Sequence, residues 1–261
     1  MIKKLSLPQK IGAGLVLVLL FWLSASWYLL GQSTKLIFNT SVSWAPVPQY
    51  NYSLSFLQTK AGMDFSVWTF ENKSSDKYFL YLHGNAGRLP NLMKELNKSG
   101  NVISPAYPGY HESESGATPE NTYESADLTY QHMVRDLKIP ENKITIVGHS
   151  MGGSPAVYVA SKHNKAGKLV VINTFSSIQS MCFKQYLVFC VFAGGVFNSA
   201  ENAKNVEIPV RQFAYRGDQT VPFDEGQKLY TYFGKSNDKK FIEMDKQTHS
   251  FPDWDKIRPE L

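Results

Sequence analysis

Ile144-Thr145-Ile146-Val147-Gly148-His149-Ser150-Met151-Gly152 is the stretch on which the reading of this chain turns. A β-branched run ending in Gly-x-Ser-x-Gly, with helix-compatible sequence behind it, reads as a strand-to-helix turn with a serine at its apex. The turn is tight, and a side chain at Gly148 or Gly152 would crowd the hydroxyl out of its exposed position. Ser150 is therefore a candidate nucleophile. Such a serine needs a base and an acid, and both follow in the expected order: Asp218 after a later apolar strand, then His249 after the last one.

Working outward, Tyr52 to Leu57 and Met63 to Phe70 alternate as opening strands about a turn at Lys60-Ala61-Gly62. Tyr78 to Leu82 is continuously apolar, the pattern of a strand buried on both faces. Leu92 to Leu96 reads as helix, Val102 to Ser104 as strand, and Pro119 to Leu137 as helix capped by Thr118. Behind the serine come helix to about Ser161, strands Leu169 to Ile172 and Val210 to Tyr215, helix Phe223 to Phe233, and strand Lys240 to Met244. This alternation predicts an α/β fold, a mostly parallel central sheet flanked by helices. His83, Ser150, Asp218 and His249 each fall just beyond a predicted strand, on the edge where such sheets bind ligands.

In that arrangement Ser150 attacks a carbonyl, His249 takes its proton and returns it to the leaving group, and Asp218 holds the useful imidazole tautomer. Met151 N–H, at the start of the following helix, is one expected oxyanion donor. Asn85 N–H in His83-Gly84-Asn85-Ala86-Gly87 is the other, with Ala86 next in line; Gly84 and Gly87 let the backbone approach a ligand closely. His83 is expected to brace this loop rather than to transfer protons. His132 and His163 read as surface or satisfied residues, His149 belongs to the turn itself, and His111 is the rival to His249. Asp224 and Glu225 read as first-turn helix charges.

Ile11 to Leu30 is uncharged, and about twenty helical residues rise about 30 Å, enough for a hydrocarbon core. Lys3, Lys4 and Lys10 flank it on one side and Trp27-Tyr28 close it on the other. That pattern predicts a signal-anchor with a cytoplasmic N-terminus and the rest of the chain across the membrane, periplasmic in a bacterium or lumenal or extracellular in a eukaryote. Ser24-Ala25-Ser26 leaves a cleaved signal peptide as the competing reading. The expected organisation is a basic flank over 1–10, a transmembrane segment over 11–30, a linker over 31–49 and one catalytic domain over 50–261.

Net charge is +5, with 27 Lys+Arg against 22 Asp+Glu; the basic residues are scattered, so no nucleic-acid partner is expected. Cys182 and Cys190 are too few and too close for a zinc ribbon, and on a straight helix they would stand about 12 Å apart, beyond disulfide reach. Asn39, Asn51, Asn72 and Asn97 open glycosylation-type triplets, which keeps a lumenal compartment open.

These residues together resemble the α/β-hydrolase fold superfamily, particularly the membrane-anchored serine hydrolases of the bud-emergence type and the depalmitoylating protein thioesterases. The likeness rests on His83-Gly84-Asn85-Ala86-Gly87, Tyr107-Pro108-Gly109-Tyr110 with Ser113, Ser115-Gly116 and Pro119-Glu120, the serine turn, Asp218 with Val221-Pro222, and His249. It implies ester or thioester hydrolysis through an acyl-enzyme, without metal or cofactor, and places Tyr107 in a loop near the site. The chain departs from the pattern in carrying Ala214-Tyr215 where relatives have His-Gly, and Thr248 where they have glycine. Either change can displace the acid or the base, and displacements of about an ångström are costly in rate.

The segment 174–200 reads as a short cap or crossover. Its apolar core, including Phe183, Leu187 and Phe189, is a candidate acyl pocket; a buried core helix and a membrane-dipping patch are the alternatives. The expected substrate is an ester, thioester or lipid, with a peptidase or amidase, or a catalytically silent scaffold, as competing readings.

Overall fold

A computed structural model describes residues 6–38, 51–85, 89–110, 116–181, 196–245, 249–250 and 252–261, with side chains of 29–37 and 89–92 excepted. An N-terminal helix, α1 (Leu7–Ile37), precedes strands β1 (Ser53–Gln58), β2 (Asp64–Phe70) and β3 (Tyr78–Leu82). Then come α2 (Leu89–Asn97), β4 (Asn101–Pro105), α3 (Pro119–Arg135), β5 (Ile144–His149), α4 (Gly153–Lys162) and β6 (Lys168–Ile172). The chain closes with α5 (Ser199–Ala203), β7 (Val210–Tyr215), α6 (Phe223–Thr231), β8 (Lys239–Met244) and α7 (Trp254–Ile257).

The strands form one eight-stranded sheet in the order β1-β2-β4-β3-β5-β6-β7-β8. The pairs β1–β2 and β2–β4 are antiparallel, and every pair from β4 to β8 is parallel. The sequence pattern explains the layers: β3, β5 and β6 are mostly apolar and buried, as strands covered on both faces must be, and β7 is buried throughout although it carries Arg211 and Gln212. At the edge, β1 alternates, leaving Leu54 and Phe56 outward. From β3 the chain first turns to β4 on one side and later crosses to β5 on the other. The gap between the ends of β3 and β5 is thus the switch point of the sheet, where α/β folds place their ligands.

Local chemistry fixes the start of α3, which packs on β1, β3 and β4. Thr118 Oγ1 accepts from Asn121 N–H and Asn121 Oδ1 accepts from Thr118 N–H, a reciprocal cap with Pro119 at the first position of α3. The helix α4 starts at Gly153, directly behind the serine turn, and packs on β5 and α3. The short helices α5 and α7 carry too little periodicity to be read from sequence.

Helix α1 is 31 residues long, so the first part of the expected 31–49 linker is helical. Its Leu7–Tyr28 part is long and apolar enough to cross a membrane. The uncharged polar run Gln32-Ser33-Thr34 carries no helix breaker, which is why the helix outlasts the apolar stretch. Two of the glycosylation-type asparagines are engaged internally: Asn72 Nδ2 donates to Asn97 O, and Asn97 Nδ2 donates to Phe70 O and Gly100 O. Cys182, Cys190, Phe183, Leu187 and Phe189 lie outside the described residues, as does most of the expected cap.

The serine turn depends on absent side chains. A Cβ on Gly152 would stand 2.1 Å from Leu82 O and 2.3 Å from His83 O, both rigid backbone at the end of β3. Gly152→Ala is therefore expected to lower stability by about 3 kcal/mol or more, whereas Gly116→Ala, which meets nothing within 4 Å, is expected to be near neutral. Urea melts of the two variants check this; equal midpoints would contradict the packing described.

Candidate active site

Ser150 sits at φ 56°, in the left-handed region, at the hinge between β5 and α4. A non-glycine residue there carries about 1–3 kcal/mol of strain, and its neighbours hold it. A Cβ on Gly148 would meet Ala156 Cβ at 2.5 Å and Gly153 Cα at 2.6 Å, and one on Gly153 would meet the Thr174 side chain. Thr174 Oγ1 donates to Ser150 O at 3.3 Å, tying the strained residue to the end of β6.

Ser150 Oγ donates to His249 Nε2 at 2.8 Å, and His249 Nδ1 donates to Asp218 Oδ2 at 2.7 Å. The second carboxylate oxygen, Oδ1, accepts from Thr220 N–H at 2.8 Å and Val221 N–H at 2.9 Å. Burial raises the Asp218 pKa, but the His249 hydrogen bond and the two backbone donors outweigh it, so the net shift is downward. Asp218 is thus an ionised acceptor near neutral pH, which puts the His249 proton on Nδ1 and leaves Nε2 free to receive one from Ser150. The three residues come from the ends of β5, β7 and β8, and the structure brings them together on one edge of the sheet.

The remaining sequence-derived residues divide clearly. Met151 is buried in the first turn behind Ser150. A Cβ on Gly84 would stand 3.1 Å from Ser150 Cβ, so the backbone after β3 runs directly beside the serine, with Asn85 next along it. Asn85 Oδ1 accepts from Tyr110 Oη at 2.9 Å. His83 is fully buried; its Nδ1 donates to Gly84 O at 2.7 Å and its ring stacks on Tyr107 with centroids 4.1 Å apart. Tyr107 Oη in turn donates to His83 O at 3.3 Å. Ala86, Gly87, His111 and Thr248 lie outside the described residues.

His149 Nε2 donates to His249 O at 2.7 Å, so the turn that carries the serine also holds the backbone of the histidine. Tyr215, present where the resembled family has glycine, accepts from Asp253 N–H at 2.6 Å and receives support at its own N–H from Asn173 Oδ1 at 3.1 Å. It thereby fastens the chain just after His249 to the strand that delivers Asp218. Sequence reading missed this pairing, because the bond spans the molecule and the only local signal was a departure from pattern. Glu225 stands in the first turn of α6 as expected, and what sequence reading did not show is that it is fully buried, with Oε2 accepting from Ser176 N–H and Oγ, and Oε1 accepting from Ser180 Oγ. His132 and His163 are paired with Asp136 and Asp127, away from Ser150. Among the described residues no group of three or more His, Cys, Asp or Glu could hold a metal ion.

The sheet order and the serine turn are those of the α/β-hydrolase architecture. Residues 77–189 match the family model for the alpha/beta hydrolase fold. An uncharacterized membrane protein of Saccharomyces cerevisiae is 27% identical over 212 residues, spanning 76% of this chain and 74% of that one. A lysophosphatidylserine lipase of Danio rerio is 27% identical over 189 residues, covering 63% of this chain but only 49% of its own length. Among solved structures, an esterase of Pyrococcus furiosus superposes with a TM-score of 0.65 at 17% identity, over 83% of this chain and 94% of that one, a likeness of fold.

Burial lowers the pKa of both His83 and His149 to about 4, from an ordinary value of 6.5. Between these values the unfolded chain binds protons that the folded chain refuses, so stability is full above about pH 6.5 and falls as pH drops toward 4. Each histidine contributes up to about 3 kcal/mol to that slope. Thermal melts from pH 7 to 4 should show a steep loss, and His149→Gln should flatten it; a variant with an unchanged slope would contradict the neutral, buried state of His149.

Proposed function

We propose that the protein is a serine hydrolase of carboxylic esters or thioesters, acting through an acyl-enzyme on Ser150. The observation that carries this is the continuous pair of short hydrogen bonds from Ser150 Oγ through His249 to Asp218. Ser150 Oγ adds to the carbonyl carbon as its proton passes to His249 Nε2, and the carbonyl oxygen becomes an oxyanion received by Met151 N–H and Asn85 N–H. Collapse breaks the bond to the leaving oxygen or sulfur, which takes the proton from His249. Water then repeats the sequence: His249 removes its proton, hydroxide adds to the acyl carbon, and Ser150 leaves protonated with release of the acid.

Helix α1 supports a membrane setting, as does the likeness to a yeast membrane protein. In this reading Leu7–Tyr28 anchors the chain with its basic end in the cytoplasm and the catalytic domain across the membrane. Protease added outside sealed right-side-out membranes should then digest the domain; protection from outside with digestion from the cytoplasmic face would reverse the topology. An anchored domain meets amphiphiles at high local concentration, and the zebrafish relative is named for a lysophospholipid. Both features favour the lipid- and acyl-directed branch of the superfamily, including bud-emergence-type and depalmitoylating hydrolases.

The test is hydrolysis of p-nitrophenyl esters from two to sixteen carbons by the full-length protein in detergent, with Ser150→Ala as control. Turnover should favour medium or long chains and fall by about a thousandfold or more in the control. Faster cleavage of matched anilides than of esters would favour an amidase instead, and turnover that survives Ser150→Ala would overturn the mechanism.

A further inference from the structure

The chain that leaves α1 does not simply tether the domain. Phe38, the residue after the helix, is only 4% exposed. Its ring meets Tyr110 edge-on, with centroids 6.4 Å apart and planes at 72°, and meets Phe197 at 5.7 Å. Phe197 continues to Tyr123 at 5.5 Å, on α3. Tyr110 has two further engagements: its hydroxyl donates to Asn85 Oδ1, and its ring stands edge-on to His83 at 5.3 Å. Burial along α1 begins before Phe38 as well. Ser26 is buried and Trp22 and Ala25 are half-buried, while Leu15 to Phe21 are exposed.

We propose that Phe38 is a positioning residue for the oxyanion loop, so that the seated end of the anchor helix is part of the machinery that sets the turnover rate. Phe38 fixes the Tyr110 ring, Tyr110 fixes the Asn85 side chain, and the Asn85 backbone beside Ser150 is thereby held where its N–H meets the oxyanion. Preorganised donors act only if they are already in place when charge develops, and losing one costs about a hundredfold or more in rate. A loosened donor costs less than a missing one. The effect therefore falls on kcat, because the ground-state ester makes little use of the oxyanion donor.

This inference rests on the hydrolase reading above, and the experiment separates the two. Full-length protein in detergent is compared as wild type, Phe38→Ala, Phe38→Leu and Phe56→Ala, the last an exposed edge-strand residue serving as control. Rates are normalised to the folded fraction. With the best p-nitrophenyl ester, Phe38→Ala should lower kcat about tenfold with KM within about twofold, Phe38→Leu should recover most of the loss, and Phe56→Ala should match wild type. Amide hydrogen exchange is followed in parallel, and Phe38→Ala should speed exchange at residues 83–85 and 107–110. A Phe38→Ala protein that melts lower but keeps wild-type kcat and wild-type exchange at those residues overturns the inference. If wild type hydrolyses no ester, the functional reading fails, and the exchange result still decides whether Phe38 holds the loop.

Discussion

Everything at this site hangs on the close approach of two backbones where β3 and β5 end. The turn after β5 lies against Leu82 O and His83 O with no room for a side chain at Gly152, and the chain beyond His83 lies against Ser150 with little room at Gly84. Those contacts force Ser150 into the left-handed region, and the rigid parallel strands on either side supply the energy that keeps it there. The same contacts bring the chain after β3 directly beside the serine turn. In the mechanism proposed, the nucleophile and the donors that face its oxyanion are thus products of one packing constraint rather than of separate devices.

His249 and Asp218 are held differently, by long-range hydrogen bonds. His249 lies beyond β8 on a segment tied to the serine turn through His149, and to the strand that precedes Asp218 through Tyr215 and Asp253. Asp218 is kept ionised by His249 and by the Thr220 and Val221 N–H groups. Two buried imidazoles, His83 and His149, stay neutral beside it and donate to carbonyls, giving the site a scaffold without adding cationic charge next to His249. Glu225 has a related part on the neighbouring helix, fastening the segment after β6 to α6 through Ser176 and Ser180.

The elements that sequence made legible were those with strong local signals. The doubly buried strands, the Thr118 cap and the serine turn each carry their physics within a few residues, and the parallel sheet follows from their alternation. Ser150, Asp218 and His249 could be nominated because each follows a strand in the required order. The features that were not legible depend on partners far along the chain. Glu225 looks like any first-turn carboxylate until Ser176 and Ser180 arrive, and Tyr215 looks like a defect until Asp253 does. The extension of α1 to Ile37 was hidden because polarity marks the end of an apolar stretch, not the end of a helix. The seating of Phe38 had no sequence signal at all.

The most direct measurement is site-resolved labelling of the full-length protein with a fluorophosphonate, read by intact mass and peptide mapping, in wild type and His249→Ala. The account predicts a single adduct on Ser150 in wild type, forming about a hundred times faster than in the variant. An adduct on another serine, or a Ser150 rate indifferent to His249, would contradict it.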